Sequence, residues 1–478
     1  MDYLNNSFFL KLINKLDIKE DSPVIQAFNS SFFLNLLNQF FAFTQNLFSK
    51  ITEKSRLLWQ IDLFILGLIT LLLASLLFAS AKTIGLIAAL CFAGFLVKLF
   101  LKKGEKLSFK SFDVQIFVYF FIISLSVAFS PMLFPALKGY VKLIVYLSSY
   151  LVFFNVLKDK PEKSYYLLGI LALTAFAESL TAIYQNFVGI EALATWQDKT
   201  NLNANQVMTR VYGTLQPFNP NLLAGYLVAT VSSTVGMASF FAVRKKFRLS
   251  LFCFAAFFAI LLAIMFTGSR GSYLGVGAMM TAFVMITGHI IWQDYSEKIW
   301  LKKLWFYAIL LGGFAALALI LTNPALQHRV LSIFAFREDS SNSFRMNVYI
   351  ASAKMFLDNW LIGIGPGNEV FRLTYGFYMK AGFDALGAYS APLEIAIESG
   401  IFALLAFFWL LVSMLLRSAR VIMYSENIEQ KILVACCLMS IIGIMTHGLV
   451  DTIFFRPQIQ LLFWLFVAML GTNQKFKN

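Results

Sequence analysis

Charge is scarce in this chain. Only 13% of its 478 residues are Asp, Glu, Lys or Arg, while 59% are hydrophobic. With a mean hydropathy of +0.73 and repeated apolar runs long enough to cross a hydrocarbon core of ~30 Å, this excludes a soluble globular protein. The fold class expected is all-α, a polytopic membrane protein with about 12 transmembrane helices. Cysteine is also rare. Cys91, Cys253, Cys436 and Cys437 all fall inside apolar runs, which excludes a disulfide framework and a zinc site. No metal ligand set and no cofactor is therefore expected. Acidic residues are outnumbered, 25 against 39 basic, for a formal charge of +14. In a soluble protein that excess would suggest nucleic acid; here the basic residues sit in short links between spans, where they orient helices, and no nucleic-acid partner is expected. The segment opening at Met1 lacks a basic stretch, an apolar core and a small-residue cleavage site, so no cleavable signal is expected. No repeat relates the two halves and no pair of broken helices is evident.

What is present is a regular series of apolar runs. They centre on 61–80, 83–101, 112–132, 138–157, 164–188, 219–243, 249–266, 271–292, 304–321, 393–416, 432–450 and 457–470. Alternate links are basic: Lys102/Lys103/Lys106/Lys110, Lys158/Lys160/Lys163, Arg244/Lys245/Lys246/Arg248, Lys298/Lys302/Lys303 and Arg417/Arg420. Twelve crossings put all of these on one side, which the positive-inside rule makes cytoplasmic, with both termini inside and the protein in the inner (plasma) membrane. The expected organisation is 1–58, cytoplasmic-side amphipathic helices; 59–218, an N-terminal bundle with an outer loop; 219–321, central spans; 322–392, a periplasmic cap; and 393–478, C-terminal spans.

That topology sends Arg210, Arg270, Arg345, His447, Asp451 and Arg456 to the outer face. Outer arginines have no role in a positive-inside topology. Each could bind lipid headgroups or helix-end carbonyls; several converging from separate spans would make an anion site, since the guanidinium fork grips phosphate or carboxylate at two points. Arg270 stands out within Thr267-Gly268-Ser269-Arg270-Gly271-Ser272-Tyr273, between two apolar runs with almost no polar loop. An arginine costs roughly 2.5–3.5 kcal/mol at a helix centre, although near an interface it can snorkel. His447 and Asp451 are one helical turn apart, a spacing that can orient an imidazole or, with Arg456, clasp the last two spans. Glu394 and Glu398 share a helix face near the outer boundary, where carboxylates need a partner, an arginine or a role in acid/base chemistry. Glu178 is a further intramembrane carboxylate.

Before the first span, Ser7–Leu16 (SFFLKLINKL) recurs as Ser31–Phe40 (SFFLNLLNQF). This reads as two amphipathic helices separated at Asp21-Ser22-Pro23, lying on the membrane surface among its lipids. In the outer segment, Pro324, Arg337-Glu338-Asp339 and Gly363-Ile364-Gly365-Pro366-Gly367 punctuate the chain, and Phe344 to Leu361 has a helical rhythm. Helices along the outer surface are expected there.

Several motifs, in order, carry a resemblance. Arg210-Val211-Tyr212-Gly213, then Phe218-Asn219-Pro220-Asn221 opening a span, Thr267 to Tyr273, Arg345 to Tyr349 leading to Gly363–Gly367, and Leu393 to Gly400 (LEIAIESG) together resemble the O-antigen ligase and polymerase superfamily. The resemblance runs from about Arg210 to Pro457. Phe383 to Glu394 and Thr446 to Pro457 are similar to the cyanobacterial branch known as inorganic-carbon (bicarbonate) transporters.

The superfamily resemblance implies a metal-independent, lipid-linked glycosyltransferase at the outer face of the inner membrane. Its partners are a polyprenyl-diphosphate glycan donor and a glycan or lipid acceptor, as in lipopolysaccharide assembly. It assigns Arg210 and Arg270 to the diphosphate, with Arg345 a third, and Asn219 and Asn221 to the helix start; the topology adds His447, Asp451 and Arg456 as candidates for the substrate face. Tyr389 stands where the ligase histidine would be, with Ser390 at the following asparagine. Tyrosine, with a pKa near ~10, is a poor base at neutral pH, so either another group serves, Glu398 or the His447–Asp451 pair, or the acceptor needs no such help, or this branch does not transfer glycans. The alternative implied by the narrower branch is bicarbonate uptake.

Overall fold

The computed structural model of the chain describes residues 17–18, 21–52, 55, 60–110, 112–158, 160, 162–189, 210–334 and 340–473. The first copy of the SFFL repeat and Arg337-Glu338-Asp339 lie outside them. The described residues are helices joined by turns and short irregular links.

Two helices precede the bundle, α1 (Pro23–Asn29) and α2 (Phe32–Thr52). Ser22 caps α1, its Oγ accepting the Ile25 N–H at 3.3 Å, with Pro23 in the first turn, where a missing N–H costs nothing. The second copy of the repeat thus opens one long helix, and the break at 21–23 starts a short helix of its own. Amide side chains pin the pair to the segment 99–109. Asn29 and Asn38 exchange paired bonds with the backbones of Phe109 and Leu107, and Gln45 donates to Leu99 and Glu105.

Among the described residues nine helices are long and apolar enough to cross a membrane: α4 (Ala81–Leu101), α6 (Leu133–Leu157), α7 (Lys163–Val188), α8 (Pro220–Val243), α9 (Phe247–Thr267), α10 (Arg270–Asp294), α11 (Ile299–Thr322), α15 (Ala391–Tyr424) and α16 (Ile428–Gly448). The other three expected runs form shorter apolar helices, α3 (Ile61–Ser75), α5 (Asp113–Ala128) and α17 (Pro457–Thr472). At 1.5 Å per residue these are about 22–24 Å long, short of the hydrocarbon thickness. Between α11 and α15 lie α12 (Pro324–Leu331), α13 (Ser340–Asp358) and α14 (Asn368–Tyr375). The rhythm read over 344–361 is α13.

Burial ranks the helices from centre to rim. Helix α8 has 78% of its most apolar window buried and α11 has none. Pure hydropathy does not separate them, because in lipid both faces of a helix can be apolar. A second, smaller core, including Val348, Met355, Ile364, Phe371 and Tyr375, lies under α13 and α14.

Helix α15 departs from expectation. It is broken at Gly400, at φ 78° and ψ 177°, a conformation essentially restricted to glycine. The backbone groups freed by the break bond to the incoming segment 360–365. Ile364 N–H donates to Ile397 O at 3.0 Å, Gly365 N–H to Glu398 O at 2.9 Å, and Ile401 N–H to Trp360 O at 2.8 Å. A side chain at Gly363 would strike the Glu398 backbone, and one at Gly400 would strike the Leu361 carbonyl. The glycines of 363–367 therefore serve close backbone approach, which is how an irregular stretch survives inside an apolar bundle.

The basic links gather at one end. Lys98 (1% exposed) meets Asp62 at 2.7 Å and Glu105 at 3.1 Å; Lys102 meets Asp62 at 2.6 Å and Lys158 meets Glu105 at 3.2 Å. Arg244 pairs with Glu429, Lys431 with Asp294, and Arg417 and Arg420 with Asp17.

Candidate anion-binding site

The opposite end gathers the arginines. Helices α9 and α10 meet in a two-residue turn, made possible by Gly268 in the left-handed region (φ 59°). Arg270 consequently sits in the first turn of α10, 6% exposed, its Nη1 donating to both the carbonyl and the hydroxyl of Ser332 at 3.3 Å. Arg329 of α12 donates through Nε to the Gly268 carbonyl at 2.7 Å, and Ser332 Oγ donates to the Arg329 carbonyl at 2.8 Å. The turn and the segment after α11 are thereby locked together.

Arg210 arrives on the loop before α8. That loop is held by two side chains of α7: Glu178 accepts from the N–H and hydroxyl of Thr214 at 2.6 and 2.7 Å, and Gln185 accepts from Gly213 N–H at 2.8 Å and donates to its carbonyl at 3.1 Å. The intramembrane Glu178 thus finds its partner in a backbone turn. Asn219 caps α8, its Oδ1 accepting from Asn221 N–H at 2.8 Å, which leaves the Asn221 amide side chain to bridge. Arg210 donates to Thr267 O at 2.8 Å and to Asn221 Oδ1 at 2.5 Å; Asn221 donates to Asp451 Oδ2 at 2.9 Å; Arg345 of α13 meets the same oxygen at 3.1 Å. Four stretches distant in sequence, around residues 210–221, 267, 345 and 451, are joined by this chain of bonds. Among the described residues Arg210 bonds only to neutral oxygens. Burial, and then the neighbouring Arg329 guanidinium, push it below the ordinary arginine value to about 9, which leaves it charged at neutral pH.

Tyr389 lies beside this network, with Arg345 5.6 Å from its ring centroid and its carbonyl accepting from Tyr349 Oη at 3.0 Å. Its backbone is in the left-handed region at φ 52°, uncommon for a residue with a side chain. Burial and Asp451 raise its pKa, so the phenol stays protonated.

His447 is fully buried and among the described residues neither of its ring nitrogens makes a hydrogen bond; Ser269 Oγ is likewise buried and without one there. A side chain at Gly271 would strike the His447 ring, so two glycine-sized positions, Gly271 and Gly275, let α16 approach the first turn of α10. The sequence suggested a His447–Asp451 hydrogen bond or a clasp with Arg456. Neither forms: Asp451 is committed to Asn221 and Arg345, and Arg456 is exposed.

Glu394 and Glu398 are not paired with arginine. Glu394 accepts from Ala388 N–H at 3.0 Å and Glu398 from Gly367 N–H at 2.8 Å, so each carboxylate holds a loop against α15. Among the described residues the second oxygen of Glu398 accepts no hydrogen bond. Arg456 lies within electrostatic reach of Glu394 and Tyr389, and Lys142 within reach of Glu398. Among the described residues no group of three or more His, Cys, Asp or Glu is placed to hold a metal.

The structure thus joins Arg210, Asn219, Asn221, Asp451, Arg345 and Tyr389 directly, and places Arg270 and His447 at the adjoining turn. Glu398 is bonded instead to Gly367, and Arg456 is exposed within electrostatic reach of Glu394 and Tyr389. Sequence reading passed over Arg329, Ser332 and Gln185, and named Thr267 only as the start of a motif, without the carbonyl contact it makes. Arg329 was findable, because the topology that singled out Arg270 and Arg345 sends Arg329 to the same end; the other three act through backbone or short polar contacts that no spacing announces.

Residues 254–408 match the family model described as O-antigen ligase. That third of the chain, similar to O-antigen ligases, contains Arg270, Arg329, Arg345, the Gly363–Gly367 segment, Tyr389, Glu398 and the break at Gly400. Arg210, Asn221, His447 and Asp451 lie outside it and reach the site through the fold. No curated protein sequence matches the chain.

Proposed function

We propose that the protein transfers a glycan from a polyprenyl-diphosphate donor to a glycan or lipid acceptor at the outer face of the inner membrane. The observation that carries this reading is the arginine network at the first turn of α10. Among the described residues the partly buried, charged Arg210 is bonded to no carboxylate, and the Ser269 Oγ and His447 nitrogens, which make no hydrogen bond there, lie at the same turn. A diphosphate fits there: it gains charge as the glycosidic bond breaks, and fixed guanidinium groups and helix N-terminal N–H groups stabilise that charge. The bond between the anomeric carbon and the diphosphate oxygen breaks with its electrons passing to the diphosphate. The acceptor hydroxyl oxygen forms the new bond, and its proton passes to the Glu398 carboxylate, since Tyr389 remains protonated.

In this reading all twelve apolar helices cross the membrane, with the basic end and both termini cytoplasmic and α12–α14 forming a cap over the site. The short α17 is enclosed by protein along nearly its whole length, so it need not match the bilayer thickness by itself. The test is product formation in proteoliposomes carrying donor and acceptor. Arg210→Ala, Arg270→Ala and Glu398→Gln should each lose product while remaining monodisperse; full product from both arginine variants overturns the reading.

One observation favours the second reading, bicarbonate uptake: the break of α15 at Gly400 is the kind of interruption that builds ion sites in transporters. Among the described residues it is a single break, with no counterpart in a second half. Arginine-dependent bicarbonate flux in vesicles that make no glycan product would reverse the ranking.

A further inference from the structure

A cavity of about 480 Å³ opens at the basic end, far along the bundle from the arginine network. It lies among five helix ends, the C-termini of α6, α8 and α17 and the N-termini of α7 and α16. We propose that it is a binding site for a phosphate-bearing amphiphile, an anionic phospholipid headgroup.

Its size is in the range of small-ligand pockets. Its cations are Lys110, Lys158 and Arg244, and its carboxylates Glu162 and Glu429. Two of the three cations are already matched by carboxylates, which leaves Lys110. Glu429 is held by Arg244 in a two-point pair at 2.8 and 3.0 Å, and Lys158 leans on Glu105 at 3.2 Å. The Lys110 ammonium makes no ion pair or hydrogen bond among the described residues, and Glu162 is exposed at the rim.

One wall is rigid before any ligand arrives. Tyr165 stacks on Phe240 at 3.9 Å, the Arg244 guanidinium lies 4.3 Å from the other ring centroid, and Tyr165 Oη donates to Glu429 O at 2.5 Å. Phe154 and Leu433 add an apolar side. A cation beside an apolar wall, at the level where helices end, suits a ligand with a charged head and an apolar tail; basic pockets between transmembrane helices bind anionic headgroups in this manner.

The test uses the delipidated full chain in neutral detergent, titrated with phosphatidylglycerol or phosphatidylcholine and read by native mass spectrometry. One phosphatidylglycerol should bind about fivefold more tightly than phosphatidylcholine, in line with roughly 1 kcal/mol per lysine near a charged headgroup. Lys110→Glu should abolish that preference, and Lys110→Arg should retain it. Displacement of the lipid by millimolar inorganic phosphate would identify a soluble phosphate ester as an equal source of the same chemistry; no displacement would identify the lipid. A preference that is absent from the wild type, or unchanged in a Lys110→Glu variant with wild-type melting temperature, overturns the proposal.

Discussion

The two ends of the bundle handle positive charge in opposite ways. At the basic end each buried cation has an acid: Lys98 lies between Asp62 and Glu105, Lys431 meets Asp294, and Arg417 and Arg420 share Asp17. At the other end Arg210 is satisfied by a carbonyl and an amide, and Arg345 shares one carboxylate with that amide. Cations matched by acids have spent their charge on holding helices together. Cations held in place by neutral oxygens keep a net field, which an anion can complete.

The largest effect that tests this contrast is on turnover. Arg210→Ala should reduce product formation by about 100-fold or more, the scale seen when one donor to a developing negative charge is removed. Arg210→Lys should recover little of it, because a point charge cannot reach Thr267 O and Asn221 together. Melting temperature should barely move in either. An Arg210→Ala variant with near wild-type turnover would remove the distinction between the two ends.

At the basic end the same kind of substitution should do the reverse. Lys98→Ala leaves Asp62 and Glu105 without their buried partner and should cost about 3 kcal/mol of stability, with turnover per folded molecule unchanged. It should also alter the acid response. Burial alone would raise Glu105, but Lys98 and Lys158 outweigh it and hold the carboxyl below its ordinary 4.5. A depressed folded value means stability that is present above pH 4.5 and lost as pH falls through the lower folded value. In the wild type, melting temperature should therefore drop below about pH 4.5; in Lys98→Ala that acid limb should flatten. Thermal unfolding across pH 3–7 in detergent reads both.

Helix α15 connects the two regimes, with its break near the arginine network and Arg417 and Arg420 at its far end. Gly400→Ala should cost about 1–3 kcal/mol, since no other residue adopts that backbone at ease, and should loosen the 360–365 segment. Amide exchange at Ile364 and Gly365 should accelerate while that at Lys98 does not. Equal acceleration at both ends would show that the break is not a local device.

How much of this was legible follows from the same physics. Apolar runs report helices in lipid directly, so the helix order and the alternation of basic links could be read, and the arginines were found because they violate that alternation. Asn221 could be read only as part of a helix start, since its bridge from Arg210 to Asp451 depends on three segments meeting. The break at Gly400 was missed because LEIAIESG has an unbroken helical hydropathy, and the backbone that satisfies the break comes from Trp360 to Gly365. His447 and Asp451 illustrate the converse. Their spacing allows a hydrogen bond on an isolated helix, but the helix ends at Gly448 and Asp451 turns to Asn221 and Arg345.

The smallest effect should come from the pair that looks strongest in outline. Arg244 and Glu429 make two parallel hydrogen bonds at 2.8 and 3.0 Å, with Phe240 beneath the guanidinium. Yet the arginine is half exposed, so water screens the attraction and both long side chains lose freedom in making it. Arg244→Gln should leave the melting temperature within measurement error of wild type at physiological salt, and any difference seen at low salt should vanish on adding it. Against the large loss expected for Lys98→Ala, this would show that burial, and not the number of ion pairs, makes the basic end structural. A salt-insensitive drop as large as that of Lys98→Ala would instead place Arg244 inside the same buried framework.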